Sequence, residues 1–149
     1  VEWLEGDRRR VRKKIKKRVE QKASSMILID TNVFVDHLRN YTPAVRFFES
    51  LAIKEDVVFS AITEAELLAG KANDDDYKRE KLLHFMHQWN KKVVDNQVSI
   101  LAGDISRKHG LSVPDAVIAA TAILNGAELV TKNTKDFKNI SDLKIHAPY

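Results

Sequence analysis

The chain has 149 residues, 44% hydrophobic and 31% charged, which fits one domain with one core and a short appendage. It has no cysteine, which excludes disulfides, thiolate metal sites and a cysteine nucleophile; no apolar run approaches the roughly 18–20 residues of a membrane span, and a charged first stretch replaces any secretory signal, so a cytoplasmic protein is expected. The net charge of +4 is uneven: residues 1–25 hold ten Lys/Arg against four Asp/Glu (+6), and the rest holds fifteen against seventeen (-2). Any attraction of the globular part for polyanions must therefore come from local patches.

Nine of the eleven residues from Arg8 to Arg18 are basic, and Leu4, Val11, Ile15 and Val19 form a narrow apolar stripe at helical spacing. A basic helix over residues 3–20 is expected, broken by Ser24-Ser25. The run Met26-Ile27-Leu28-Ile29-Asp30 suits a buried strand. Helices are expected over Asn32–Arg39 and Thr42–Ile53, the second with Pro43 in its first turn. Val57-Val58-Phe59 reads as a strand, and Thr63–Ala69 as a helix stopped by Gly70. The loop Asn73–Asp76 leads to a long helix ending near Lys92, with Leu82, Leu83, Phe85, Met86 and Trp89 on its apolar side. Lys92-Val93-Val94 is a third candidate strand. A helix over Gln97–Lys108 ends before Gly110. Ser112-Val113-Pro114 opens an alanine-rich helix that runs to Leu124 and stops at Gly126. Leu129-Val130 and Leu143-Lys144-Ile145 complete the strands. Strands alternating with helices imply a mostly parallel sheet covered on both faces.

Four acids fall where such a sheet presents ligand groups. Asp30 ends the first strand, Glu66 lies early in the helix after the second, Asp115 is in the first turn of the alanine-rich helix, and Asp136 follows the fourth strand. Ligand sites in open parallel sheets form beyond the carboxyl ends of the strands, where strand order reverses. Each acid also has a local reading. Ser112–Asp115 and Thr63–Glu66 fit capping boxes, Asn133–Asp136 fits a helix cap, and Asn32 fits a cap of the first helix. Asp30 is harder to explain locally, because a carboxylate at the end of a buried strand is costly unless something pairs with it. Clustered carboxylates repel one another unless a cation sits among them, and oxygen-only ligands favour a hard ion, Mg²⁺ or Mn²⁺.

The segments Ile27-Leu28-Ile29-Asp30-Thr31-Asn32, Thr63–Gly70, Asp115–Ala122 and Val130–Phe137 resemble, in order, the four motifs of PIN domains of the VapC toxin type, over residues 26–149. That resemblance implies a five-stranded parallel sheet of order 3-2-1-4-5 flanked by helices. It implies a Mg²⁺- or Mn²⁺-dependent ribonuclease, with RNA as substrate, a cognate antitoxin as protein partner and a homodimer as the common assembly. Carried over by position, Asp30, Asp115 and Asp136 are metal ligands. Glu66 is a ligand, directly or through water, or orients the attacking water. Thr31, Thr131 and Asn133 are auxiliary polar groups, with turn and cap chemistry as their local alternative. In-line attack of water on a phosphodiester would leave a 5′-phosphate and a 3′-hydroxyl.

Residues 1–25 depart from the family, for which Met26 is the natural start. They read as an upstream extension, an antitoxin-like tail, an RNA-binding arm or simply a solvated helix. His84 and His87, three apart on a helix, suit the surface better than a metal, for lack of a third ligand. Asp74-Asp75-Asp76 reads as a solvated helix start. Two other functions compete. A haloacid-dehalogenase-like phosphatase also places an acid such as Asp30 before a threonine, but wants a second acid where this chain has Asn32. A partner-inhibited PIN-like RNA-binding module would keep the fold without turnover.

Overall fold

The computed structural model describes residues 2–20, 26–51 and 56–149. Helix α1 (Glu2–Glu20) precedes β1 (Met26–Ile29), α2 (Thr31–Leu38), α3 (Thr42–Ser50), β2 (Asp56–Ser60) and α4 (Ala61–Leu68). A 3₁₀ turn (Lys71–Asp74) leads to α5 (Asp76–Met86), β3 (Asn90–Lys92), α6 (Asn96–His109), α7 (Val113–Asn125), β4 (Glu128–Val130), α8 (Thr134–Phe137) and β5 (Lys144–His146). The five strands form one sheet in the order β3-β2-β1-β4-β5, every pairing parallel. This is the expected architecture and strand order.

Alternation along the strands sorts the side chains into two cores. Met26, Leu28, Val58 and Leu129 face one core, closed by α6 and the alanine-rich α7. Ile29, Val57, Phe59 and Val130 face the other, closed by α2, α3, α4 and α5. The second core is aromatic. Phe34 lies 5.2 Å from Phe48, 5.9 Å from Phe59, 6.2 Å from Phe85 and 6.1 Å from Trp89, ring centre to ring centre. Leu82, Phe85, Met86 and Trp89 are thus part of this core.

The ends of the elements refine the expected boundaries. The long helix does not reach Lys92; α5 stops at Met86, and Asn90–Lys92 pairs with Val58–Ser60 as β3. Its edge position leaves the polar side chains in solvent, so no hydrophobic pattern marked it. The strand expected at Lys92–Val94 lies two residues late, and Val93 and Val94 are exposed. Lys91 (3.1 Å) and His87 (3.3 Å) both reach Glu64, tying this edge to α4. Ser60, not Thr63, caps α4, accepting from the Ile62 amide. Gly70 has an ordinary negative φ, and the helix end is closed instead by Asn73 Nδ2, which donates to the carbonyls of Leu67 (2.9 Å) and Gly70 (3.0 Å). Gly110 and Gly126 do take the left-handed conformation that ends α6 and α7. Asp75 caps α5, as its solvated run suggested, and His84 and His87 are exposed. Residues 52 and 53, at the expected end of α3, lie outside the described residues.

Helix α1 meets α7. Val11 and Ile15 are half-buried, Ile15 against the α6–α7 core, while Arg8, Arg9, Arg10, Arg12, Lys13, Lys14 and Lys16 are exposed. The side chains of Leu4 and Val19, and the break at Ser24-Ser25, lie outside the described residues. A helix this basic persists only with such tertiary contact, since isolated short helices are marginal in water.

Phe34 is fully buried at the centre of the aromatic core. Phe34→Ala is expected to lower unfolding stability by about 3–5 kcal/mol. A urea titration followed by far-UV circular dichroism checks this; a midpoint within error of the wild type contradicts the packing described.

Candidate active site

The order β3-β2-β1-β4-β5 makes β1 and β4 the neighbours at which the chain reverses its direction of sheet growth. The crevice beyond their carboxyl ends is where such sheets bind ligands. Asp30 leaves β1 at that point and is 3% exposed. Its own amide donates to the Val130 carbonyl (2.9 Å), which extends the β1–β4 pairing by one bond. Its Oδ1 accepts from the Thr31 amide (2.7 Å), so Asp30 caps α2. Asn32, expected as a cap, lies inside that helix. The other oxygen, Oδ2, accepts from Thr131 Oγ1 (2.7 Å), from the residue that follows β4.

Thr131 is fully committed. Besides donating to Asp30, its hydroxyl accepts from the Asn133 amide (3.0 Å) and weakly from Asn32 Nδ2 (3.5 Å). Thr31 carries the network to α4, the helix after the second strand: its hydroxyl is 2.9 Å from Glu66 Oε1 and 2.9 Å from the hydroxyl of buried Thr63. Thr63 and Asn32 are the site neighbours that sequence reasoning placed in capping roles. A Thr three residues before a Glu on one helix face was the available signal for Thr63. Asp115 enters from the first turn of α7, where Ser112 Oγ accepts from its amide (3.4 Å). The cap and the placement of the acid are therefore the same feature. Asn133 precedes α8 without a side-chain cap bond, and Asp136 is exposed on that one-turn helix.

Burial pushes the Asp30 carboxyl up to about 6, against the hydrogen bonds from Thr131 and Thr31 that favour its charge. The charges of Asp115 and Glu66 push it further in the same direction. The structure thus brings Asp30, Glu66 and Asp115 into one electrostatic group, with Thr31 and Thr131 bonded inside it. Asp136 is not among the charges acting on Asp30. Among the described residues, no three Asp, Glu or His side chains are gathered tightly enough to hold a metal ion as they stand.

The donor set still fits a hard cation. All its ligand atoms are oxygens, and each oxygen of Asp30 keeps a lone pair beyond the bond it accepts. Asn32 Oδ1, beside Thr131, is buried without a partner among the described residues. Mg²⁺ characteristically keeps several waters and takes only one or two carboxylates, so a closed cage of acids is not required.

A model of the PIN domain matches residues 27–143. The chain belongs to the PIN-domain family. It is 32% identical over 125 residues to Ribonuclease VapC19 of Mycobacterium tuberculosis, covering 80% of this chain and 98% of that one. To Ribonuclease VapC1 of Methanocaldococcus jannaschii it is 32% identical over 145 residues, covering 92% and 98%. Among solved structures, a VapBC2 complex of Rickettsia felis bound to a promoter DNA fragment matches this PIN domain with a TM-score of 0.70 at 25% identity, covering 82% of this chain and 98% of that one. A toxin–antitoxin complex of Klebsiella pneumoniae matches with a TM-score of 0.68 at 28% identity, covering 83% and 98%.

A carboxyl whose pKa is raised by folding binds its proton more tightly in the native state. Its stabilising effect is complete below pH about 4 and is lost as pH rises through about 6. In EDTA, the stability of wild type relative to Asp30→Asn is therefore expected to fall by about 2 kcal/mol between pH 4 and pH 7. The amide's own bonding adds only a pH-independent offset. Denaturant titrations of both proteins across this range read the difference; a flat difference contradicts the buried, repelled carboxyl.

Proposed function

We propose that this protein is an endoribonuclease that hydrolyses RNA phosphodiester bonds with Mg²⁺ or Mn²⁺, and that it is the toxin of a type II toxin–antitoxin pair. The observation that carries the reading is the buried Asp30 carboxyl at the strand reversal, beside two further acids. Its PIN fold and the names of its relatives, ribonucleases and toxin–antitoxin complexes, support it. Asp30 and Asp115 would hold the ion, with Glu66 joining through water and Asp136 completing the acidic rim. When bound, the ion lowers the pKa of a water and offsets charge on the phosphate.

The chain's own groups supply the rest. Thr131 and the Thr31 amide fix both oxygens of Asp30, and the Asn133 amide fixes Thr131. Thr31 holds Glu66 through Oε1, which leaves Oε2 to orient the attacking water and take its proton. Attack in line with the leaving oxygen gives a 5′-phosphate and a 3′-hydroxyl. The acidic crevice also suits a basic side chain from a cognate antitoxin, which would silence the enzyme by taking the cation's place. The same family resemblance carries a homodimer and a cytoplasmic RNA target. A dehalogenase-like phosphatase is disfavoured by the PIN match and by Asn32, and an inactive binding module by the retention of all four acids.

Labelled RNA is expected to be cleaved with Mn²⁺ or Mg²⁺ and left intact in EDTA. Asp30→Asn and Asp115→Asn should each slow cleavage by more than about 100-fold, and Thr131→Val by about 10–100-fold, the range for losing a group that orients a ligand. Full activity in excess EDTA, or in both Asn variants, would overturn the mechanism.

We also read residues 26–149 as the PIN domain that carries the nuclease site and residues 1–25 as a basic helical extension. A chain beginning at Met26 is then expected to fold and to keep metal-dependent cleavage. Failure of that chain to give a cooperative thermal transition would refute the division at residue 25.

A further inference from the structure

Beside the acidic crevice lies a cleft of about 390 Å³ lined by Asp36, Tyr41, Lys132, Ala147 and Tyr149. Its walls come from three places that share one rim of the sheet. Lys132 follows Thr131, the residue that holds Asp30. Asp36 is on α2, the helix that Asp30 caps, about 9 Å along its axis by helical rise. Tyr149 follows β5, the neighbour of β4.

The two tyrosine rings meet edge to face at 5.6 Å, with an interplanar angle of 66°. Tyr41 is 50% exposed and Tyr149 41% exposed. Tyr149 is pinned, because its hydroxyl donates to Asp36 Oδ2 at 2.7 Å. Lys132 Nζ meets the same oxygen at 2.7 Å. Burial raises the Asp36 carboxyl, but the Lys132 bond and charge and the Tyr149 hydroxyl outweigh it and hold it ionised below the usual range. Anchoring the segment after β5 accounts for the Tyr149 hydroxyl. It does not account for a second ring left half in solvent across the cleft, or for a lysine beside it.

Rigid, half-exposed aromatic faces next to a cation are what a single-stranded nucleic acid uses: bases stack on the rings and the cation meets the backbone. The volume lies in the roughly 300–1,000 Å³ range of ligand sites and admits one nucleobase. Lys132 is partly exposed, although its partner Asp36 is largely covered, so its ammonium can also meet a phosphate from the solvent side. Asp36 Oδ2 carries both of those bonds, so Oδ1 is left to accept from an exocyclic amine.

We infer that the Tyr41–Tyr149 cleft is a substrate subsite that takes the unpaired base of an RNA nucleotide flanking the cleaved phosphodiester, with Lys132 on its phosphate. This rests on the ribonuclease reading and adds to it a requirement for a single-stranded base beside the cut.

Binding is measured with a fluorescein-labelled single-stranded RNA decamer of mixed sequence, titrated into the full chain carrying Asp115→Asn, so that the strand survives. Tyr41→Ala is expected to weaken binding by about 10-fold, as for loss of one stacked base, while Tyr41→Phe and Tyr41→Trp retain it. Lys132→Gln should reduce the slope of log affinity against log salt by about one. In the active chain, Tyr41→Ala should raise KM for the decamer by a similar factor. Hydrolysis of bis(p-nitrophenyl) phosphate, a phosphodiester with no base, should be unchanged. Wild-type decamer affinity in Tyr41→Ala, with a wild-type chain that cleaves RNA, overturns the subsite and leaves the ribonuclease reading standing; this is also the result if the rings serve a protein partner. Equal loss in Tyr41→Phe and Tyr41→Ala overturns stacking. A wild-type chain that neither binds nor cleaves RNA overturns both readings.

Discussion

The hydrogen bond from Thr131 Oγ1 to Asp30 Oδ2 fixes a carboxylate at the point where the sheet changes its direction of growth. Everything at the candidate site is arranged around the carboxylate it holds. Asp30 sits between two cores, after an apolar strand, where a charge is expensive. Three groups reduce that expense: the Thr131 hydroxyl, the Thr31 amide and the start of α2, whose first-turn dipole favours a negative charge. They do not remove it, because the carboxyl still titrates at about 6. Two more acids on separate helices then add repulsion. A fold that places three acids this way would gain stability from a bound cation, and this is the physical core of the proposed metal dependence.

The same constraint explains why the flanking elements are built as they are. Helix α7 is almost wholly buried and rich in alanine, so it lies close on the sheet and carries Asp115 to the crevice on its first turn. Helix α4 must present two successive polar positions of one face, Thr63 and Glu66, to Thr31. Its cap therefore falls one turn earlier, on Ser60. The local reading of Thr63 as a cap failed because a Thr–x–x–Glu pattern serves equally as a cap or as a polar face, and only the packing of α4 against α2 separates them.

What was legible in the sequence depended on whether side-chain pattern or backbone pairing set the structure. β1, β2 and β4 are central and apolar, and their runs marked them. The strand order followed only from the resemblance that the four motifs carry. β3 is an edge strand whose residues Asn90, Lys91 and Lys92 are polar, so its pairing with β2 left no trace, and Val93-Val94 drew the expectation past it. The acids Asp30, Glu66 and Asp115 were visible as types at telling positions. The bonding of Asp30 to Thr131 and of Glu66 to Thr31 was visible only as auxiliary positions of a family pattern, since a hydrogen bond between residues 101 apart has no local signature. The Tyr41–Tyr149 cleft was illegible for the same reason: it joins residues 108 apart across the sheet.

An acidic crevice in a globular part of net charge -2 is an awkward place to bring a polyanion. Long-range attraction cannot come from that part as a whole, so on the ribonuclease reading the positive charge has to be supplied at defined places. Three suppliers differ in reach. A cation among the acids would act at the cleaved phosphate itself. Lys132, one residue from Thr131, would act on the adjoining phosphate, and the aromatic rings beside it would add affinity that salt does not screen. The exposed basic face of α1 acts over about a Debye length, roughly 8–10 Å in physiological salt. Its docking, with Ile15 against the α6–α7 core, keeps that charge attached to α7, the helix that bears Asp115. Catalytic charge, local grip and long-range attraction are thus carried by separate groups, and among the described residues no basic side chain is paired with Asp30, Glu66 or Asp115.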